Sequence, residues 1–542
     1  MLSINMNSQI EFYKWSSKDY KKLYNSIREK INMKKLQFYM PFYSLYFYIH
    51  NKPKANLKID MKRNYFLKEV IEITKSRYYN SNMFLKGNIY NSSKNIINEC
   101  ELFCKSISIL DPIHIINNNY NLINHNNYHL PGNYNYNTFN KINNIDNTAY
   151  IDVLCSYLFG NLTYYKKSPS FPLYYGSVNG IGDYNYDLSE DYNDIKDDKC
   201  FNENIDKAFK LEIYISDDED DEDDEDNEDR KSSSENEDNE DRKSSSENED
   251  DENEDRKSSS ENEDRKSSSE NEDRKSSSEN EDDEDRKSLD YSETDLENKC
   301  DDNGFDDCIA KLLNIPIQLL FIEKLEGTLE DLLYDNIKEE ILLSCVFQIS
   351  FALTYLQKNY QFTHNDLHIN NIMFKKTENK YLYYKYNNIY FRVPTHGYIF
   401  KIIDFGRAIF RYRNKLYMND VFNDYGEAGG QYNYPNQVQF SKERKRDNIK
   451  PNYHFDLCRL SMTILEELND KEFSKEILVF LNHMCTNNCD ISFCDMPDDF
   501  YLYKSIAKDA CNCLPREVIM NDIFKSYKIK KKLFPRKSYY TI

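Results

Sequence analysis

No transmembrane segment is expected in this sequence. The most apolar early stretch, LQFYMPFYSLYFYI over residues 36–49, is too short to cross a bilayer and contains Pro41, so it reads as core. The N-terminus, MLSINMNSQIEFYKW, lacks the basic-then-apolar layout of a secretory leader. With that absence, 13 cysteines in 542 residues point to free thiols in a reducing, cytoplasmic setting rather than to a disulfide framework. Acidic character is also missing from most of the chain, although the net charge is −22. Residues 217–299 hold 40 Asp and Glu against 13 Lys and Arg, so this tract alone carries −27 and the remainder is left at +5. A mildly basic body suits a polyanionic ligand.

Four regions follow from composition. Residues 1–80 are rich in Tyr and Lys and read as an N-terminal extension without a motif. Residues 81–215 contain strand-like pieces, one helical pattern and Asn-rich loops. Residues 216–300 are low complexity, and residues 301–542 hold the clearest motifs. The low-complexity block repeats RKSSSENED, with Arg230, Arg242, Arg256, Arg265, Arg274 and Arg286 each opening a unit. Stacked copies would bury almost nothing apolar, so the block is expected to be a disordered insert rather than a solenoid. Its serines, such as Ser232 to Ser234, precede acidic residues, a context that acidophilic kinases favour.

The strongest signal is FTHNDLHINNIMF, residues 362–374. Before it, Leu342, Val346, Ile349, Leu353 and Leu356 recur at helical spacing. After it, FKIIDFGRAIF over residues 400–410 is a short β-type run ending in Asp-Phe-Gly. Phosphoryl transfer needs a carboxylate beside the attacking hydroxyl and a pair of groups that hold Mg²⁺ against the phosphates. Asp366 occupies the base position, Asn371 stands five residues on with a metal-binding amide oxygen, and Asp404 supplies the second metal ligand.

In this order the motifs resemble the eukaryotic-type protein kinase superfamily, in particular divergent serine/threonine kinases of large DNA viruses. That resemblance implies an α+β, bilobal protein-kinase-like fold, with a small β-rich lobe, a large helical lobe and ATP with Mg²⁺ between them. NYHFDLCRLSMTILEEL resembles the buried helix whose leading acid, Asp456, hydrogen-bonds the catalytic loop. IQLLFIEKLEGTLEDLL resembles the last small-lobe strand and the hinge, where the backbone of Glu323 and Leu325 would meet the adenine and Ile322 would be the gatekeeper. ELFCKSISILDP carries Lys105 as the phosphate-anchoring lysine, and NTAYIDVLCSYLF carries Asp152 as its acidic partner. FPLYYGSV resembles the strand that follows.

Several departures stand against this pattern. No GxGxxG precedes Lys105, and Gly87, eighteen positions earlier, is the nearby glycine left for a phosphate-covering hairpin. Asn365 stands where Arg is usual, and His368 where Lys is usual. No Ala-Pro-Glu follows Asp-Phe-Gly; YGEAGGQYNYPN fills that space. His368 keeps a small-molecule (aminoglycoside or choline type) phosphotransferase open as an alternative. The missing glycines keep open a pseudokinase acting as a binding or scaffold module. The retained acids favour a protein kinase acting on protein Ser/Thr hydroxyls, in the cytoplasm or in a virion. Cys485, Cys489, Cys494, Cys511 and Cys513 are too irregularly spaced for a zinc site and read as free thiols. The basic residues 525–537 read as a solvated tail rather than a nucleic-acid or membrane contact.

Overall fold

The computed structural model describes residues 10–41, 58–76, 81–121, 129–132, 137–189, 191–214, 307–423, 426–432, 449–468, 471–496 and 500–542. The low-complexity tract lies outside them, as do residues 42–49 of the early apolar stretch and residues 425 and 433–436 of the segment after Asp-Phe-Gly.

Strict alternation builds the first part. Along Met83–Asn91 every second residue is buried, the period-two signature of a strand. It belongs to an antiparallel sheet in the order Lys34–Gln37, Tyr174–Asp187, Asp307–Glu323, Ile96–Ser108, Met83–Asn91 and Tyr65–Ser76. A seventh strand, Phe209–Tyr214, pairs with the opening half of Asp307–Glu323. That central strand is buried continuously from Ile315 to Glu323, because both faces of the sheet are covered. Leu319 and Phe321 join a core with Trp15, Leu23 and Ile27, beneath the helix Ser17–Ile31. Leu320 and Ile322 point into the larger core with Tyr150, Val153 and Leu154 of the helix Thr148–Tyr164. Lys34–Gln37 and Tyr65–Ser76, which fall within the expected N-terminal extension, are strands of this sheet.

The helix Thr148–Tyr164 starts at Asn147, whose side chain accepts from the Ala149 N–H, and it is buried on nearly every side. After residue 323 the chain becomes mainly helical. Glu339–Tyr360 is long and apolar enough to cross a membrane by length and composition, but most of it is buried in the larger core. Leu342, Val346, Ile349, Leu353 and Leu356 are at most 1% exposed. This helix stops at Gln361, whose φ of +49° turns the chain into the loop that follows. Strand Ile372–Lys376 then pairs with Tyr398–Ile402, and the helices Phe455–Leu468, Lys475–Met484 and Phe500–Asp509 complete the body. The protein is thus a mixed α/β structure, β-rich in its N-terminal part with helices later.

The basic tail differs from expectation. Lys528–Ile529 pairs with Ile389–Pro394, and Tyr540–Thr541 pairs with Tyr381–Tyr386, giving a four-stranded sheet. Phe534 anchors the intervening segment on Tyr383 and Tyr390, with ring centroids 5.9 and 4.8 Å apart. Aromatic packing holds the segment down and Lys528 Nζ donates to Met520 O at 3.1 Å, while Lys530, Lys531, Lys532, Arg536 and Lys537 are exposed.

Candidate active site

A cavity of about 270 Å³ opens where the seven-stranded sheet meets the later half of the chain. Lys105, Asp152, Ile322, Leu325, Asn371 and Asp404 are among its lining residues. Lys105 stands in register with Leu320 on the strand Ile96–Ser108. Its Nζ lies 2.8 Å from Asp152 Oδ2 and 2.8 Å from Asp404 Oδ1. Burial opposes the lysine's charge, but the two carboxylates outweigh it and raise its pKa. Burial likewise pushes the Asp404 carboxyl up, yet Lys105 overrides this and holds it down at about 2. Asp152 is nearly inaccessible at 2% side-chain exposure, whereas Asp404 is 41% exposed and faces the cavity.

The turn at Asp404 is set by its backbone. Its φ of +58° is left-handed, a conformation that costs an ordinary residue about 1–2 kcal/mol. That cost is offset locally. The Gly406 N–H donates to Asp404 Oδ1 at 3.3 Å, and the Phe405 N–H donates to Asp152 Oδ1 at 3.3 Å. Phe405 turns inward instead, with Phe159 at 5.1 Å and His364 at 5.6 Å between ring centroids. One side of the turn is thereby sealed in the core and the other carries a carboxylate to the cavity.

The loop Phe362–Asn371 is tied to this turn and to the helix beneath it. Thr363 and Ile409 exchange backbone hydrogen bonds of 2.9 Å, and the Ile403 N–H donates to Asn371 O at 3.1 Å. Asp456, wholly buried at the start of its helix, accepts the N–H groups of His364 and Asn365 at 3.0 Å. Burial lifts the Asp456 carboxyl to about 6, against the pull of His364 and these donors. Asn365, at φ +64°, donates to Thr363 O and Arg407 O and accepts from the Tyr432 hydroxyl. A compact amide thus does the tethering with neutral groups, without an Arg at that place.

Asn371 donates through Nδ2 to Asp366 O at 2.8 Å and to His368 Nε2 at 2.9 Å. Its amide hydrogens are thereby engaged, which leaves Oδ1 as an oxygen donor beside the carboxylate of Asp404. Burial lowers the His368 pKa, in keeping with a neutral ring that accepts at Nε2. Two oxygen donors of this kind fit a hard divalent cation. Asp366 Oδ1 accepts from the Tyr503 hydroxyl at 3.2 Å and lies 3.8 Å from Arg407 Nη1. Tyr503 belongs to no pattern visible in the sequence. Tyr503 is 137 positions from Asp366, and no local signal could have found it.

Glu323 and Leu325 border the cavity next to Ile322. The Glu323 N–H donates to Leu173 O at 2.9 Å. Its side chain turns away into an ion cluster with Lys375 and with Lys401, 3.1 Å from Lys401 Nζ. Gly87 is a correction. It sits mid-strand opposite Cys100, and an added Cβ would lie 2.9 Å from both Leu102 Cδ2 and Leu67 Cδ1. It is a packing glycine and does not line the cavity. The end of that strand which abuts Lys105 is Met83, paired with Cys104, and Asn82 and Phe84 are the residues that reach the cavity. Among the late cysteines, Cys485 Sγ donates to Cys458 O and Cys513 Sγ to His454 O. Among the described residues no three His, Cys, Asp or Glu converge on a metal position.

No family model matches the chain. Over 208 residues it is 26% identical to R301 of Acanthamoeba polyphaga mimivirus, a protein whose name proposes a serine/threonine-protein kinase; the match takes in 34% of this chain and 47% of that one. Over 111 residues it is 28% identical to the serine/threonine-protein kinase haspin of Bos taurus, covering 20% of this chain and 14% of haspin. The chain spans less than half the length of either relative. Its sequence is accordingly kinase-like, similar at a distance to two proteins that bear the names of serine/threonine kinases.

Proposed function

We propose that the chain is an ATP-dependent protein kinase that transfers the γ-phosphate to Ser/Thr hydroxyls of proteins. In this reading the seven-stranded sheet with its helix Thr148–Tyr164 is the small lobe of a bilobal protein-kinase-like fold, and the helical remainder is the large one. The observation that carries it is Lys105 held between Asp152 and Asp404, beside a loop that presents Asp366 and Asn371. Serine/threonine type and protein substrate rest on the names of the two relatives.

Mg·ATP, when bound, supplies the phosphoryl group and the positive charge that neutralises it. Phe103, Ile322 and Leu325 offer an apolar wall for the base, and Glu323 and Leu325 offer backbone groups to its edge. Lys105, already pinned by Asp152, directs its ammonium toward the phosphate oxygens. Asp404 and the free Oδ1 of Asn371 would hold the metal, and Asp366 orients the acceptor hydroxyl and takes its proton.

The test is transfer from labelled Mg·ATP to a general acceptor protein, comparing wild type with Asp366→Ala and Asp404→Ala. Transfer should fall by roughly 10²–10⁴-fold in Asp366→Ala while nucleotide binding persists, the loss typical of removing a general base. Asp404→Ala should abolish transfer. A wild type that binds nucleotide without transferring phosphate would instead mark a scaffold module or a small-molecule phosphotransferase.

A further inference from the structure

Among the described residues Asp366 has one oxygen tied and one free, and the tie comes from outside every motif in the sequence. Tyr503, on the helix Phe500–Asp509, brings its hydroxyl to 3.2 Å from Asp366 Oδ1. Arg407 approaches the same oxygen at 3.8 Å. Among the described residues nothing donates to Oδ2.

The direction of the Tyr503 proton is also determined. The Arg459 guanidinium carbon stands 5.5 Å from the Tyr503 ring centroid. The phenol donates its hydrogen to Asp366 Oδ1, because a carboxylate only accepts. Burial and the neighbouring carboxylate favour the neutral, donating phenol. Arg459 is itself firmly placed, with only 8% of its side chain exposed, three residues after the Asp456 that anchors the Asp366 loop. The Tyr503 ring packs on Phe455 at 5.9 Å, so both ends of the contact are built on the helix Phe455–Leu468.

We propose that Tyr503 is a positioning residue for the acceptor-activating carboxylate. It holds Asp366 by Oδ1 so that Oδ2 is turned out to receive the proton of the incoming hydroxyl. This rests on the phosphotransfer reading and deepens it. A hydroxyl that merely blocked the acceptor position would be expected on the reactive oxygen, and nothing on Oδ2 plays that part among the described residues.

The experiment is steady-state phosphate transfer by the full chain carrying Tyr503→Phe, which deletes one oxygen and keeps the ring. The expected result is a kcat about tenfold lower, the loss associated with one hydrogen bond to a charged group. KM for ATP should stay within about twofold and the melting temperature within about 2 °C, since only the carboxylate's orientation is touched. On the Asp366→Asn background the same substitution should lower residual transfer by less than about twofold, because two residues acting through one group do not add. An unchanged kcat overturns the proposal. A raised kcat also overturns it and marks Tyr503 as a block. An equal loss on both backgrounds overturns it too, because Tyr503 then acts independently of Asp366. A wild type with no transfer refutes the phosphotransfer reading itself, a result plainly distinct from equal rates in wild type and variant.

Discussion

Three carboxylates near the cavity experience three different surroundings. Asp404 gains a cation and is held ionised, Asp152 is sealed behind Lys105, and Asp456 is buried with only neutral N–H donors against its oxygens. Asp456 therefore has a pH signature. Its carboxyl is at about 6 in the fold and near 3.9 in an unfolded chain, so the fold binds its proton more tightly. A raised carboxyl of this kind contributes stability that is complete below about pH 4 and lost as pH rises toward about 6. The difference of about two units corresponds to about 3 kcal/mol. Urea denaturation from pH 4 to 7 should show this decline in wild type and a flatter curve in Asp456→Asn. Equal slopes would refute the account. Asp366, Asn371 and Asp404 were legible as candidates because one short loop and one turn carry them. The environment that sets each group's behaviour was not, since burial and partners come from chain segments dozens of residues away.

At the level of elements, strand ends decide what reaches the cavity. The strand Ile96–Ser108 presents Lys105 near its end, where Met83 opposes Cys104 and the adjoining Asn82 accepts from the Ser106 N–H at 2.9 Å. The opposite end of the same hairpin turns through Ser92–Asn95, where the Asn91 side chain accepts from the Ser93 and Lys94 N–H groups. Gly87 lies between these ends with apolar neighbours pressed against it, and it serves the sheet rather than a ligand. Gly87→Ala should destabilise the protein by about 1–3 kcal/mol through overpacking. Nucleotide affinity should remain within about twofold, as measured by titration beside a denaturation curve. A selective loss of affinity at unchanged stability would return Gly87 to the binding site. The helices were easier to anticipate than the strands' ends. Leu342 through Leu356 repeat at helical spacing, but which end of a hairpin meets a lysine depends on pairing register, and a single sequence carries no local mark of it.

In the whole molecule, the two described strands that flank the acidic tract in sequence pair with each other. Tyr214 pairs with Asp307, so the chain leaves and re-enters at neighbouring positions of two antiparallel strands. Residues 215–306 connect these two paired strands along the chain. Loop-closure cost grows by only about 0.6 kcal/mol per doubling of length. Replacing residues 217–304 by a short Gly-Ser turn should therefore leave the fold intact and raise its stability by at most about 2 kcal/mol. Denaturation midpoints of the full and shortened chains test this, and a lower midpoint for the shortened chain would show that the tract contributes contacts to the body.

By itself the sequence determined the local chemistry: a carboxylate and an amide five residues apart on one loop, a carboxylate at an Asp-Phe-Gly turn, and helices and strands with readable periodicity. These depend on neighbours along the chain, whose spacing fixes their geometry. Tertiary structure alone decided the rest. It put Gly87 into packing and laid the basic tail along a sheet. It also brought Tyr503 to Asp366. Such contacts are set by strand register and by how buried faces fill space, and both are properties of the whole folded chain rather than of any window within it.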